Sequence, residues 1–454
     1  MTVAIALFTA DLRVHDNPVL DAAVRGADEV VPLFVRDRGV DAAGFAAPNR
    51  LAFLADCLTD LDDALRQRGG HLVLRTGEVV EEVLRVAAET DARTVHMAGG
   101  VSRYARHRED RLRSELDAQR RELVVHDEVI TAVAPGAVTP QGSDHFAVFT
   151  PYLRRWSDTT LRHVVAPPRT VRVPSSPSSA KLPVRAQVSG VSPGLAAGGE
   201  TRARARLTAW LRHGVDAYED RHDDLAGDAT SRLSPYLHFG ALSPVEAVHR
   251  ARRAGGDGAQ AFVRQLAWRD FHHQVLAARP RAAFADYRPR GDAWRAADEE
   301  VRAWREGRTG YPIVDAAMRQ LAHEGWMHNR GRLLTASFLT KTLYADWRVG
   351  AAHFLDLLVD GDVANNQLNW QWVAGTGTDT RPNRVLNPLA QAKRFDPAGE
   401  YVRRWVPELA ELAGAAVHRP WQLDEAERAR YDYPAPIVDL AEGRARFLES
   451  RGAA

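Results

Sequence analysis

The first 126 residues alternate short apolar runs with longer amphipathic stretches, a pattern typical of βαβ units and a parallel sheet. Runs rich in Val, Ile and Leu predict five strands, at 3–8, 29–35, 71–75, 93–97 and 122–126. Three amphipathic stretches between them predict helices, at 48–68, 78–88 and 103–119. We therefore expect an N-terminal α/β domain over residues 1–130.

The apolar periodicity is lost after this region and returns in a different form. Six prolines, interleaved with serines and glycines between about 165 and 200, predict a linker, and we place it at 131–200. Beyond it, Trp, Leu and Ala recur at spacings of three and four residues. This spacing predicts an all-α domain over 201–454.

Composition narrows the class of protein. A chain of 454 residues that is 45% apolar is long enough for two cores. Its single cysteine, Cys57, excludes an internal disulfide framework and a cysteine-cluster metal site, so we expect no metal. The apolar run 3–8 is too short to span a membrane and has no signal-peptide features, so we expect a cytoplasmic protein. We also expect a monomer.

A net charge of +1 conceals a local excess of arginine. Between 250 and 290, nine arginines stand against three aspartates. This block could present a basic face to phosphates, and a solvated helical surface explains it equally well.

The polar segment 360–373 is the most informative stretch. It contains two carboxylates, three asparagines and two indoles, and buried groups of this kind need hydrogen-bond partners. A large polar planar ligand would supply them, whereas a polar loop beside an aromatic core is the alternative. The segment closely resembles the flavin-contacting segment of the photolyase/cryptochrome family. That resemblance implies that Asp360 and Asp362 hold the ribityl chain and ring edge, that Asn366 faces the ring N5, and that Trp370 passes electrons to FAD.

A second motif, Thr230-Ser-Arg-Leu-Ser-Pro235, places hydroxyls and a guanidinium ahead of a proline that can begin a helix. Free backbone N–H groups there favour an anion, although a simple helix cap has the same composition. The motif resembles the family segment that grips the FAD phosphates. The resemblance implies FAD contacts from Tyr218, Thr230, Ser231, Arg232, Leu233 and Ser234.

Two further segments match the family. Trp326 to Phe338 resembles a specific signature, which implies that Asn329 and Arg332 contact the flavin, that Arg330 approaches DNA and that Leu333 faces the lesion. Gln265 to Phe271 resembles the family's Trp-Arg-Glu-Phe segment. It implies that Arg269 contacts FAD and that Trp268 stacks on an extruded pyrimidine dimer, with Gln265 and Trp372 in the same lesion pocket. A buried core tryptophan is the alternative for Trp268.

Trp370, Trp347 and Trp294 occupy the positions of the family's electron-transfer triad. Indole is among the most easily oxidised side chains, but any one of these residues alone would be expected to pack in a core. Their joint agreement with the family implies an electron path to the flavin.

The first predicted strand runs into Asp11-Leu-Arg-Val-His-Asp-Asn-Pro18, similar to the family's N-terminal hallmark. We expect a light-harvesting chromophore in a cleft formed by 8–13, 34–50 and 97–106. The segment 102–108 is more similar to deazaflavin-binding relatives than to folate-binding ones. It favours 8-hydroxy-5-deazaflavin over methenyltetrahydrofolate.

Departures from the family fall mainly on the lesion side. Gln265 replaces a glutamate, Gly331 and Leu333 replace a leucine and a methionine, and the loop at 382–384 is one residue short. The resemblance implies a blue-light, FAD-dependent photolyase that repairs pyrimidine dimers in duplex or single-stranded DNA, and these departures predict weakened repair. The alternative is a cryptochrome-like photoreceptor that keeps the flavin photochemistry without efficient repair. Asn366 favours repair, because plant cryptochromes carry Asp and animal ones Cys at that position.

Overall fold

The computed structural model describes residues 1–452. It contains a single five-stranded parallel sheet in the order β3-β2-β1-β4-β5, which confirms the predicted α/β region. The strands are β1 (Val3–Phe8), β2 (Glu29–Asp37), β3 (Val73–Gly77), β4 (Thr94–Ala98) and β5 (Glu122–His126). β1 pairs with β2 and β4, so its carboxyl end lies at the middle of the sheet edge where α/β folds bind ligands.

Helices make up the rest of the regular structure. In chain order they are α1 (Pro18–Gly26), α2 (Arg38–Ala42), α3 (Pro48–Arg66), α4 (Val79–Thr90), α5 (Arg103–Ala118), α6 (Phe149–Asp158), α7 (Glu200–His213), α8 (Tyr218–Arg221), α9 (Ser234–His238), α10 (Pro244–Ala254), α11 (Gly256–Ala278), α12 (Asp298–Glu306), α13 (Pro312–Glu324), α14 (Asn329–Ser337), α15 (Trp347–Leu357), α16 (Val363–Ala374), α17 (Pro388–Phe395), α18 (Glu400–Trp405), α19 (Glu425–Arg428) and α20 (Leu440–Ser450). A π-helix, Phe338–Thr342, continues α14. None of the strands found within residues 1–452 lies beyond His126, which confirms the helical C-terminal region.

The chain packs as two compact units. Unit 1 comprises residues 1–191, 196–216 and 231–280, and unit 2 comprises 192–195, 217–230 and 281–454. The predicted domain bounds, 1–130, 131–200 and 201–454, stay a prediction about where independent domains begin and end. The region predicted as a linker contains an α-helix that its composition did not predict, α6, and a short 3-10 helix, Arg185–Gln187.

Unit 1 is built around the sheet. One face of the sheet packs on α4 and α5 through buried aliphatic residues such as Val83 and Leu112. The hallmark after β1 is also buried, and its polar groups bond to the protein itself. The Arg13 guanidinium donates to the carbonyl of Gly240 at 2.9 Å. Gly240 has a positive φ, and a Cβ there would lie 1.9 Å from the carbonyl oxygen of Ala10, so only glycine permits this approach.

Unit 2 has its own helical core. Its buried residues come mainly from α12 to α16, and they include Trp304, Phe338, Trp347, Phe354 and Trp370. Helices α15 and α16 pack on each other within this core. The segment singled out in the sequence, 360–373, therefore forms the turn before α16 and most of α16 itself.

Candidate functional site

Asp360 has one carboxylate oxygen satisfied by the protein and one that is not. It is 8% exposed, and its Oδ2 accepts a hydrogen bond from Arg332 Nη2 at 2.9 Å. Its Oδ1 is buried without a hydrogen-bond partner. An unpaired buried oxygen costs free energy, roughly 1 to 3 kcal/mol, unless a ligand bonds to it. Asp360 Oδ1 is therefore an open acceptor in unit 2.

Arg332 is positioned by the segment that precedes its own helix as well as by Asp360. Its Nε donates to the carbonyl of Met327 at 2.8 Å, while Nη2 bonds to Asp360. Asn329 is the first residue of the same helix, α14, and its side chain is exposed. Both residues that the sequence assigned to the flavin thus lie near the start of α14, one turn apart.

The start of α16 presents the remaining polar groups. Asp362 is its N-cap and accepts from the backbone N–H of Asn365 at 2.7 Å. Asn366 Nδ2 donates to the carbonyl of Ala351 at 3.0 Å and to Gln367 Oε1 at 3.0 Å. These two bonds occupy the amide donors, so Asn366 Oδ1 is the atom that can accept from a ligand N–H.

The three tryptophans of the predicted electron path all belong to unit 2. Trp347 is fully buried, and its Nε1 donates to Asp286 Oδ1 at 2.8 Å. The Arg348 guanidinium lies 4.7 Å from the centroid of the Trp347 ring. Trp294 is half-buried, and its ring centroid lies 5.1 Å from that of Tyr344.

Trp370 is held in the core by close packing. Its ring makes edge contacts with Phe354, at 4.9 Å between centroids, and with Trp304, at 6.0 Å. A Cβ on Gly350 would lie 2.2 Å from Cη2 of Trp370, so the glycine lets α15 approach α16. Gly350 lies three residues after Trp347, on the same helix. The sequence analysis missed Trp304 and Asp286, since neither lies in a recognised motif.

The predicted phosphate-gripping residues divide between the units. In unit 2, Tyr218 is buried in α8, and Thr230 Oγ1 is buried without a hydrogen-bond partner. In unit 1, the Ser231 carbonyl accepts from Arg206 Nε at 2.7 Å. Arg232 has a φ of +50°, a conformation that non-glycine residues adopt mainly where the surroundings impose it. Leu233 is buried, and Ser234 is exposed and begins α9.

Helix α11 in unit 1 carries the residues assigned to the lesion. Gln265 is exposed and Trp268 is half-buried. The Trp268 ring stacks on Phe149 with centroids 3.7 Å apart and planes at 10°, so Phe149 covers one face of the indole. The other face remains the one that could stack on a base. Phe149 belongs to α6, a helix that the sequence analysis did not predict.

Two neighbours on α11 are held by backbone groups of unit 1. The Arg269 guanidinium donates to the carbonyls of Ile130 and Leu237. Asp270 Oδ2 accepts from the backbone N–H groups of Ala132 and Val133 and from Trp156 Nε1, at 2.9 to 3.0 Å. Arg269 was predicted to contact FAD, and these bonds give it a structural role that does not test that prediction.

The remaining predicted DNA contacts lie in unit 2. Arg330 forms an ion pair with Asp223 at 2.5 Å, and its guanidinium lies 4.3 Å from the centroid of Phe395. Leu333 is half-buried against the core. Trp372 is half-buried under the Arg384 guanidinium, which lies 5.4 Å from its ring centroid. Because Asp223 already neutralises Arg330, DNA would have to compete for it.

The predicted chromophore cleft at the sheet edge has a polar cluster of its own in unit 1. Asp37, at the end of β2, accepts hydrogen bonds from the Tyr104 hydroxyl and from the backbone N–H of Gly39. Arg108 also lies on α5, and its Nε is buried without a hydrogen-bond partner. Burial is the main cause that lowers the pKa of the Arg108 guanidinium.

Comparison with known proteins identifies the family. The sequence model described as "DNA photolyase" matches residues 4–173, and that described as "FAD binding domain of DNA photolyase" matches residues 262–453. A deoxyribodipyrimidine photo-lyase from Streptomyces griseus is 67% identical over 453 residues, covering 100% of both chains. The chain belongs to the DNA photolyase family.

Solved structures agree with this membership. A class III photolyase from Agrobacterium tumefaciens is 32% identical, covers 100% of this chain and 97% of its own, and superposes with a TM-score of 0.92. A cryptochrome from Synechocystis is 29% identical, covers 98% of this chain and 99% of its own, and has a TM-score of 0.91. The photolyase fold is thus shared by repair enzymes and by a cryptochrome. No helix within residues 1–452 is long and apolar enough to cross a membrane.

Proposed function

We propose that this photolyase-family protein binds FAD and repairs cyclobutane pyrimidine dimers (CPDs) in DNA under blue light. The observation that carries the proposal is the Arg332–Asp360 pair with its open Asp360 Oδ1, in a chain that matches a photo-lyase over its whole length. Fully reduced FAD, when bound, supplies the electron that light transfers to the dimer.

The polar groups of unit 2 fit a flavin. Asp360 Oδ1 and Thr230 Oγ1 are buried groups that lack a partner, and a ribityl chain or diphosphate has hydroxyls and oxygens to satisfy them. Arg332 orients the Asp360 carboxylate through a charge-assisted hydrogen bond. Asn366 Oδ1 is available to accept from the ring N5–H, and Asp362 orders the start of α16. We propose Tyr218, Ser231, Arg232, Leu233, Ser234, Arg269 and Asn329 as further FAD contacts.

Tryptophans supply the proposed electron path. Trp370, Trp347 and Trp294 would deliver an electron to oxidised cofactor in light. The Asp286 carboxylate, bonded to Trp347 Nε1, would stabilise positive charge on that indole, while Arg348 over the ring would oppose it. The two effects set how readily Trp347 is oxidised.

The lesion is proposed to contact Gln265, Trp268, Arg330, Leu333 and Trp372. Phe149 orders the Trp268 indole and leaves one face for a flipped base, and stacking of this kind contributes roughly 1 to 3 kcal/mol per base. Gln265 can hydrogen-bond a base edge but brings no charge. We therefore keep the expectation of reduced repair efficiency.

A second chromophore is proposed for the edge of the sheet in unit 1. Tyr104, Asp37 and Arg108 provide a phenol, a carboxylate and an unpaired guanidinium N–H for the polar edge of a ring system. This set favours 8-hydroxy-5-deazaflavin over methenyltetrahydrofolate, because an ionisable phenol-like ring would pair with the Arg108 cation. Fluorescence of chromophore released from protein purified from its native host would identify it. We further propose that the protein is a cytoplasmic monomer.

The decisive experiment is a repair assay. The FAD-reduced protein is mixed with duplex DNA containing one CPD, or one 6-4 lesion, and dimer loss is measured under blue light and in the dark. Light-dependent loss of the CPD supports the proposal. Normal flavin photoreduction with no loss of either lesion would instead favour a photoreceptor, the function that Gln265 and the likeness to the Synechocystis cryptochrome support.

A further inference from the structure

One buried lysine fastens the loop 376–386, which directly follows α16. Lys341 is 1% exposed and lies in the π-helix Phe338–Thr342. Its Nζ donates to the carbonyls of Pro382 at 2.7 Å and Arg384 at 2.8 Å. A single ammonium group thus fixes two peptide groups of the loop. π-helical turns are rare in proteins, and those that occur are often found at functional sites.

The loop carries exposed positive charge beside a predicted lesion contact. Arg381 and Arg384 are exposed, and the Arg384 guanidinium lies over the Trp372 ring. Arginine stacked on an aromatic ring keeps its N–H groups available for phosphate. The backbone carbonyl of Arg384 is one of the two that Lys341 holds, so the position of this guanidinium depends on Lys341.

Four charged groups of unit 2 act on the Lys341 ammonium. Asp379 in the loop and Asp292 favour its charged form, whereas Arg384 and Arg451 oppose it. Arg451 itself donates to Asp292 at 2.5 and 2.8 Å, which compensates part of that carboxylate's charge. The Phe447 ring lies 5.3 Å from Nζ and adds a cation–π contact. Burial outweighs the favourable contacts and lowers the pKa of Lys341 from 10.5 to about 7.

We propose that Lys341 is a positioning residue for DNA binding: its protonated ammonium holds the Pro382 and Arg384 carbonyls, keeps Arg384 over Trp372, and couples DNA affinity to the protonation of Lys341. The inference rests on the proposed contact of Trp372 with the lesion, since Arg384 lies over that ring. A neutral amine can still donate to both carbonyls, but hydrogen bonds from an ionised donor are about twice as strong. DNA affinity should therefore fall as pH rises and Lys341 loses its proton.

Thermodynamic linkage makes the proposal testable from both sides. If protonated Lys341 raises DNA affinity about fivefold, DNA must raise the pKa of Lys341 by the same factor, about 0.7 pH unit. A lysine that served only as packing would show no such response.

The first measurement follows Lys341 directly in the FAD-bound protein. Lys181, Lys341 and Lys393 are the chain's three lysines, so isotope-labelled lysine gives few NMR signals, and the Lys341 signal is the one missing in Lys341→Gln. We expect its titration midpoint near neutral pH, and an upward shift of about 0.7 unit when duplex DNA containing one CPD is added. A midpoint that DNA does not move overturns the proposal.

The second measurement is DNA affinity between pH 6 and 8.5 at constant salt. Glutamine can donate its amide N–H groups to the same carbonyls but does not titrate, so Lys341→Gln should lose about fivefold less affinity over this range than the parent. Lys393→Gln, at an exposed position on α17, is the matched control and should follow the parent. Equal losses in the parent and Lys341→Gln refute the coupling.

A third variant, Arg384→Ala, tests the proposal even if Lys341→Gln does not fold. Arg384→Ala leaves Lys341 in place and removes the guanidinium that it positions, so DNA should then move the Lys341 midpoint by less than in the parent. An unchanged response to DNA would refute the role of Arg384. A parent protein that binds no DNA at any pH would contradict the proposed function itself, and this is distinct from DNA binding that is independent of Lys341.

Discussion

Two buried aspartates, Asp270 in unit 1 and Asp360 in unit 2, show that the same side chain can hold the fold together at one place and stay open for a ligand at another. Asp270 Oδ2 accepts three hydrogen bonds from Ala132, Val133 and Trp156, all within its own unit. Asp360 accepts one from Arg332 on Oδ2 and keeps Oδ1 buried and unpaired. Because burying an unpaired oxygen costs free energy, a carboxylate retained in that condition indicates a ligand, whereas a carboxylate that accepts three hydrogen bonds from its own unit indicates a structural role.

The groups around the two aspartates differ in the same way. Beside Asp270, Arg269 bonds to backbone carbonyls and Trp268 stacks on Phe149, so α11 is fixed before any ligand arrives. Burial is the largest influence on the pKa of Asp270 and raises it, against the charge of Arg269 and the bond from Trp156. In unit 2, Asp360 Oδ1 is buried and unpaired, and Asn366 Oδ1 is the amide atom left to accept from a ligand. Unit 2 therefore presents unfilled acceptors, and α11 presents a rigid surface.

The largest effect should come from breaking the satisfied carboxylate. Asp270→Ala leaves three buried donors without an acceptor and removes the partner of Arg269, so the free energy of unfolding should fall by about 3 to 5 kcal/mol. Chemical denaturation of the FAD-free protein measures this. Asp270→Asn keeps one acceptor oxygen and should lose less. A fully stable Asp270→Ala variant would show that Asp270 does not organise α11.

The open carboxylate should behave in the opposite way. Asp360→Ala removes an unsatisfied oxygen together with the hydrogen bond from Arg332. Because Arg332 is partly exposed and keeps its bond to the Met327 carbonyl, these effects should offset, and the stability of the FAD-free protein should change by less than about 1 kcal/mol. FAD affinity should fall about 100-fold, since a charge-assisted hydrogen bond and the orientation of Arg332 are lost together. Flavin absorbance per protein after dialysis, and calorimetric titration with FAD, measure the effect. Normal FAD retention would contradict the assignment of Asp360 Oδ1.

The electron path sharpens the contrast within unit 2. Trp370→Phe keeps an aromatic ring against Phe354 and Trp304 but removes the easily oxidised indole, so photoreduction of bound FAD with an external reductant should slow about tenfold, or ~1.4 kcal/mol in barrier. Trp405→Phe, which removes an indole elsewhere in unit 2, is the control and should match the parent. Equal rates in the parent, in Trp370→Phe and in the double variant Trp370→Phe, Trp372→Phe would mean that the path is misassigned. The double variant is needed because Trp372 is a neighbouring indole that could replace the lost donor.

The parts of the molecule that sequence could predict are those set by local pattern or by shared motif. Apolar runs predicted all five strands within a few residues. The central strands β1, β2 and β4 have such runs because they are buried on both faces, and shorter runs marked the edge strands β3 and β5. α1 was missed, although Asn17 caps it and Pro18 begins it, because the hallmark motif occupied the same residues. Partners distant in sequence, such as Phe149 for Trp268 or Asp286 for Trp347, could not be predicted, because no local period encodes a contact between separate helices.

The smallest predicted effect tests the lesion side of α11. Gln265 is exposed on the rigid helix that Asp270 anchors, so a substitution there should leave folding and FAD binding unchanged. A glutamate can hydrogen-bond the base edge and help to stabilise the negative charge that appears when the dimer receives an electron, which glutamine does less well. A hydrogen bond to a charged partner contributes roughly 1.5 to 3 kcal/mol when shielded from water, and solvent at this exposed position should reduce the gain to a few-fold in repair rate.

We expect weak CPD repair in the parent and partial recovery in Gln265→Glu, measured as dimers split per absorbed photon at equal FAD reduction and DNA occupancy. Full photolyase efficiency in the parent, or no gain in the variant, would show that residue 265 does not limit the reaction.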